Sequence, residues 1–240
     1  RYGLRDVTVE IYGTPGNSLA NLNNGVNFVV YGNAQDDVAD TMHGGSVIIH
    51  GDARDVVGQA LQGGYIFIRG NAGNRVGIQM REYVNKRPYL VVGGRVDDYL
   101  GEYMAGGVIM VLGIDAYLQG KDVELVGKYV GSGMVSGKIY IRGRVDQSKI
   151  GLSPLVGDVK ALMKTAENVY SELIIKVMSK FSGGTKPRVE YRELYEDEIR
   201  ELNPILNRYA NYLNIDYSII EELLGLKYTV IQGLPLASAE

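Results

Sequence analysis

The chain has no cysteine and only two histidines among its 240 residues. The first absence excludes disulfides, a cysteine-ligated iron–sulfur cluster and a cysteine nucleophile within this sequence. The histidines, His43 and His50, stand in no spacing that suits a zinc site or a nucleophile–base–acid triad, and each reads as a corner or surface contact. No apolar run reaches the roughly 18 residues of a membrane span. The start opens on Arg1, which reads as trimmed, and lacks the basic, apolar, small-residue order of a signal peptide. Charge of one sign is missing too: 25 basic against 28 acidic residues leave a net charge of −3, no electrostatic footprint for nucleic acid. Together these absences fit a cytoplasmic chain, and a hydrophobic content of 45% allows a continuous core.

Glycine is what the chain has in excess, with 32 copies, and it marks a period. Gly32–Gly51 and Gly51–Gly70 frame units of 19 residues, GNAQDDVADTMHGGSVIIHG and GDARDVVGQALQGGYIFIRG. Four residues after the leading glycines Gly13, Gly32, Gly51, Gly70 and Gly94 stand Asn17, Asp36, Asp55, Asn74 and Asp98. Six after them come Leu19, Val38, Val57, Val76 and Leu100, and seven after them only Ala20, Ala39, Gly58, Gly77 and Gly101. Each unit then passes Met42, Leu61, Met80 or Met104, mostly meets a double glycine, and closes on a β-branched run such as Val47-Ile48-Ile49.

A fixed period with short strands and glycine corners predicts an all-β solenoid: a single-stranded right-handed parallel β-helix of about six coils, roughly 30 Å long. One coil cannot bury its apolar face alone, so like positions must stack. In this reading Gly32, Gly51, Gly58, Gly64, Gly70, Gly77, Gly101 and Gly107 supply positive-φ corners. Asp36, Asp55, Asn74 and Asp98 form a column that bonds local backbone at each turn.

Two irregularities interrupt the period. A four-residue extension at Ile78–Pro88 carries Arg81, Lys86 and Arg87 and is expected to protrude as a basic loop. About ten extra residues around Tyr117, Lys121 and Asp122 then precede a last coil at Gly131–Ile141, and the solenoid is expected to end near Gly151. Residues 1–151 therefore read as the β-helix and 152–240 as an α-rich extension. That extension opens with an amphipathic helix over Val159–Phe181, stopped by Ser182-Gly183-Gly184-Thr185-Lys186-Pro187. An extended stretch Arg188–Leu194, a helix Glu196–Leu213 with a bend at Pro204, a helix Ser218–Leu224 started by Asp216, and a strand Lys227–Ile231 follow. Covering the open end of the solenoid is one task for this segment. The apolar stripe of its first helix packs on the solenoid or pairs with another subunit, a second copy included, and the sequence leaves both open.

Glu102–Gly113 (EYMAGGVIMVLG), preceded by Asp97-Asp98, resembles the core of the GXGXG domain at the C-terminal end of the glutamate synthase large subunit, and Asp55–Gly64 has the same cadence. The likeness runs from Val7 to about Gly143 and resumes around Glu196–Leu213 and Lys227–Gln232. The Val159–Phe181 helix departs from the family pattern. A more distant resemblance, carried by Gly70-Asn71-Ala72-Gly73-Asn74, is to the C subunit of formylmethanofuran dehydrogenase. The first resemblance implies a non-catalytic scaffold that spaces a glutaminase from an FMN-binding synthase and flanks the ammonia route between them, in a split enzyme that makes glutamate from glutamine and 2-oxoglutarate. FMN and an iron–sulfur cluster would then sit on partner subunits, with no catalytic, cofactor or metal residue in this chain.

Other chemistry has candidates in the residues. Asp36-Asp37 and Asp97-Asp98 are the pairs a carbohydrate-active β-helix enzyme would use as acid and base, but one member of each already belongs to the turn column. Gly131-Ser132-Gly133 begins like a dinucleotide fingerprint, yet the next glycine, Gly137, falls one residue late and no βαβ context surrounds it. Arg81, Lys86 and Arg87 read as a solvated loop, with contact to an acidic partner surface or a ligand phosphate as the functional alternative.

Overall fold

The structure, a computed structural model, describes residues 7–83, 85–151 and 187–233. The expected Val159–Phe181 helix lies outside the described residues. Seven strands each end one repeat: β1 (Thr8–Tyr12), β2 (Asn24–Tyr31), β3 (Gly44–Ile49), β4 (Tyr65–Ile68), β5 (Tyr89–Val92), β6 (Ala105–Val111) and β7 (Ser136–Arg142). Each pairs in parallel with the next in chain order. Two further strands, β8 (Arg188–Glu193) and β9 (Lys227–Gln232), extend the sheet antiparallel beyond β7, in the order β7-β9-β8. The result is a nine-stranded, mostly parallel sheet with a few helices, and the tail strands cover the β7 edge.

The register follows the sequence period. Thr8 faces Asn27, Asn27 faces Ser46 and Ser46 faces Tyr65, each 19 residues on. Tyr65 faces Tyr89, 24 residues on, and Val108 faces Lys138, 30 on. The first insertion is thus five residues rather than four, and the second eleven. The first folds back on itself, with Tyr83 and Lys86 exchanging both backbone hydrogen bonds. The second holds a short helix α1 (Ile114–Leu118), whose Ile114 is buried and whose Tyr117 hydroxyl donates to Glu222 at 2.8 Å. The last described link between repeats is Gly151 N–H to the Val130 carbonyl at 2.7 Å.

The connecting segments are laid on one another as well as the strands. Ala34 N–H donates to the Asp52 carbonyl, Ala53 to Asn71 and Ala72 to Arg95, all at 2.8–2.9 Å. Side chains sort by face. Val47 and Ile49 of β3 join Ala34, Val38 and Met42 in a buried cluster that continues through every repeat. Ile48, Phe67, Val91, Met110 and Tyr140 point to the opposite face of the sheet. From β3 to β6 both faces are therefore dry, which explains why these strands read as largely unbroken apolar runs instead of alternating.

The opposite face is dry because α2 (Glu196–Leu213) and α3 (Tyr217–Leu224) lie on it. The helix α2 continues through Pro204 without interruption. Its Leu202, Ile205, Leu206, Tyr209 and Leu213 are buried, at the i, i+3, i+4 spacing of an apolar stripe. Tyr209 anchors it: the ring meets Phe67 edge-on at 5.5 Å, and the hydroxyl donates to the Ile68 carbonyl at 3.1 Å. Asp216 caps α3 by accepting from Ser218 N–H at 2.9 Å, as its position before the apolar run suggests.

The glycines serve two purposes. Gly58, Gly64, Gly77, Gly101 and Gly107 have φ of +66° to +86°, as expected for corners. Gly32, Gly51 and Gly70 do not lie in the left-handed region. They are glycine for lack of room: a Cβ on Gly51 would sit 2.1 Å from Asn33 Oδ1, one on Gly70 2.1 Å from Asp52 Oδ1, and one on Gly32 2.6 Å from the Gly13 carbonyl. Left-handed backbone also recurs at residues that are not glycine, in the columns Asp37, Val56, Arg75, Tyr99 and Thr41, Ala60, Gln79, Tyr103. At roughly 1–2 kcal/mol each, these are held by the stacking above and below.

Candidate functional site

The aspartate column is a hydrogen-bond ladder. Asn17 Oδ1 accepts from Asp36 N–H, Asp36 from Asp55, Asp55 from Asn74, Asn74 from Asp98 and Asp98 from Lys128, over 2.7–3.3 Å. Each side chain receives the backbone N–H of the repeat that follows. A second ladder of Asn33, Asp52 and Asn71, ending on Arg95 N–H, runs beside it at 2.6–3.0 Å. Its signal in the sequence is the polar residue directly after each leading glycine, Asn33, Asp52 and Asn71. The outer members of the acidic pairs are also engaged: Asp37 accepts from the Ser18 hydroxyl at 2.6 Å, and Asp97 from Arg95 at 3.1 Å. Asp55→Ala is expected to lose about 1–2 kcal/mol in urea unfolding, whereas Asp55→Asn, which keeps the accepting oxygen, should stay near wild type. Equal losses in both variants would show that the ladder does not rest on that oxygen.

The Gly131-Ser132-Gly133 turn leads into strand β7 rather than a helix, so it lacks the helix N-terminus that a dinucleotide fingerprint needs. The two histidines lie apart. His50 stacks on Tyr31 with ring centroids 4.7 Å apart, Tyr31 stacks on Tyr12 at 4.9 Å, and burial lowers the His50 pKa. Among the described residues, no three histidines or carboxylates come together as a metal site would require.

The basic residues instead gather beside the double glycines. Lys86 and Arg87 line a cavity of about 500 Å³ with Asn24, Asn27, His43, Ser46, Asn85 and Arg208, over a floor that includes Gly44, Gly45 and Gly64. The insertion forms one wall and α2 the other. Lys86 Nζ donates to the His43 carbonyl at 3.0 Å. Arg87 reaches Glu201 of α2 at 3.1 Å, and Glu201 also accepts from the Tyr89 hydroxyl at 3.1 Å. Burial, followed by that carboxylate, pushes the Tyr89 pKa up to about 12. Arg208 lies over the Tyr65 ring, 5.3 Å from its centroid. Arg81, the third member of the basic cluster, does not line this cavity; it bridges to Ala105 and stays exposed. The insertion is therefore tied down on the sheet side and on the helix side. Arg208 was invisible to sequence reading because it comes from a helix 121 residues further on than Arg87.

The GXGXG motif family, that of the glutamate synthase C-terminal domain, matches residues 1–194. The chain belongs to this family. The GXGXG match extends past the Gly143 limit of the likeness read in the sequence and takes in the segment judged to depart from the pattern. The uncharacterized protein MJ1350 of Methanocaldococcus jannaschii is 39% identical over 228 residues, covering 95% of this chain and 73% of that protein. Among the described residues no helix is long and apolar enough to cross a membrane.

Proposed function

We propose that this GXGXG chain is a non-catalytic, cytoplasmic scaffold subunit of a split glutamate synthase, spacing a glutaminase from an FMN-binding synthase and flanking the route of ammonia. Family membership over residues 1–194 carries the reading. FMN and the iron–sulfur cluster belong, in this reading, to partner subunits. The fold is a right-handed parallel β-helix: the backbone bonds that join connecting segments at the strand period, and the buried cluster fed by the strands and, from Ala34 on, by three further positions of each repeat, support closure of each repeat into a coil. A scaffold of this kind needs rigidity along its axis, which the two ladders supply.

The basic insertion is the proposed partner contact, through Arg81, Lys86 and Arg87. Affinity capture of the tagged chain from its own cell extract, with mass spectrometry and a flavin absorbance scan, tests the assignment. A flavin-containing synthase and a glutaminase are expected in the eluate. A solitary colourless protein, or a pterin-containing dehydrogenase in their place, would overturn it.

A further inference from the structure

We propose that the cleft between the basic insertion and α2 is a binding site for a small oxyanion, a carboxylate or phosphate group held between Lys86 and Arg208. Three lining side chains are cationic and none is a carboxylate. Arg87 is answered by Glu201 and Glu82, at 3.1 and 3.5 Å. Among the described residues, Lys86 and Arg208 have no carboxylate partner. Two positive charges thus converge on one cavity of a chain whose net charge is −3.

Donors fill out the site. Lys86 spends one ammonium hydrogen on the His43 carbonyl, which leaves two. Asn27 Oδ1 accepts from the Ser46 hydroxyl at 2.8 Å, so its amide N–H₂ remains to donate. Arg208 is steadied by the Tyr65 ring and Lys86 by its carbonyl contact, so less side-chain entropy is lost when a ligand enters. A guanidinium presents the paired N–H groups that match the geometry of carboxylate and phosphate. The glycine floor lets a ligand approach the backbone closely, and a volume of about 500 Å³ suits a small metabolite better than a protein segment.

The proposal does not rest on the scaffold reading, and failure to capture a synthase would leave it standing. Its test is calorimetric titration of the full chain at low salt, with inorganic phosphate in one arm and succinate in the other. Saturable binding is expected in at least one arm, and the arm that saturates identifies the ligand source. Both Arg208→Gln and Lys86→Met should weaken binding at least about tenfold, the range of one charge-assisted hydrogen bond; Arg208→Gln should leave the melting temperature unchanged because its side chain is exposed, and Lys86→Met should lower it only slightly, by the loss of its bond to the His43 carbonyl. Gly44→Leu, at a position where a Cβ would meet its nearest atom at 3.6 Å, should fill the cleft and abolish binding, while Arg54→Gln on another surface should not. Absence of saturation in both arms, or binding that survives the Lys86, Arg208 or Gly44 changes, would overturn the proposal.

Discussion

Glu198→Ala is expected to lower the unfolding free energy by about 3 kcal/mol, the low end of what breaking a buried ion pair costs. The Glu198 side chain is 1% exposed and collects five donors. Arg192 binds both oxygens at 2.7 and 3.0 Å, Lys138 and the Tyr140 hydroxyl reach Oε1 at 3.1 Å, and Tyr195 N–H reaches Oε2 at 3.0 Å. The last contact satisfies an orphan amide at the start of α2, so one carboxylate ties α2 to β7 and β8. Alanine would strand the Tyr140 hydroxyl in a fully buried site. Arg192 would keep Glu190 at 2.9 Å, which holds the cost near the lower bound.

The same residue gives a pH dependence. Burial alone would raise the Glu198 carboxyl, but Arg192, Tyr195 N–H and Lys138 outweigh it and hold the pKa down at about 2. The unfolded value is about 4.3. A depressed pKa adds stability that is complete above the unfolded value and is lost as pH falls through the folded one, here from about pH 4.5 to about 2. The difference is again about 3 kcal/mol by linkage. Urea midpoints for wild type and Glu198→Gln should therefore converge as pH drops from 5 to 2. Parallel curves across that window would show that Glu198 is not the titrating anchor.

The repeat was legible because stacking imposes one rule on every layer: the residue at each position must suit the same position in the next repeat. Period, strand sites, the aspartate ladder and the α2 and α3 boundaries all follow from such local or repeated patterns. What stayed hidden depends on contacts between distant segments. That α2 covers the sheet could not be read from its apolar stripe, since a stripe does not name its partner. The cleft needed Lys86 and Arg208 to be brought together by packing. In the sequence Glu198 is one of three acids that open α2, a pattern the macrodipole alone explains; only the arrival of Lys138 and Tyr140 from β7 shows it to be an anchor. The reason behind the leading glycines was also hidden, since crowding by a side-chain oxygen of the previous repeat leaves the same residue type as a positive-φ corner does.

That ambiguity yields a sharp contrast within the double-glycine columns. Gly64→Ala is expected to cost about 3 kcal/mol or more, because backbone strain and overpacking act together at one site. Its φ is +85°, and an added Cβ would lie 2.4 Å from the Gly45 carbonyl oxygen, a backbone atom of the neighbouring repeat. Moving that oxygen away would pull β3 from β4, which pair along Ser46–Ile49. Gly44, the first glycine of the preceding pair, lies outside the left-handed region, and its nearest neighbour to an added Cβ is Asn24 Oδ1 at 3.6 Å, ordinary contact. Gly44→Ala should therefore shift stability by no more than about 0.5 kcal/mol, through a smaller loss of backbone entropy if in either direction. Thermal melts of the two variants decide the matter. A Gly64→Ala melt close to wild type, or a Gly44→Ala melt as low as that of Gly64→Ala, would mean that the glycines are not set by the space between repeats.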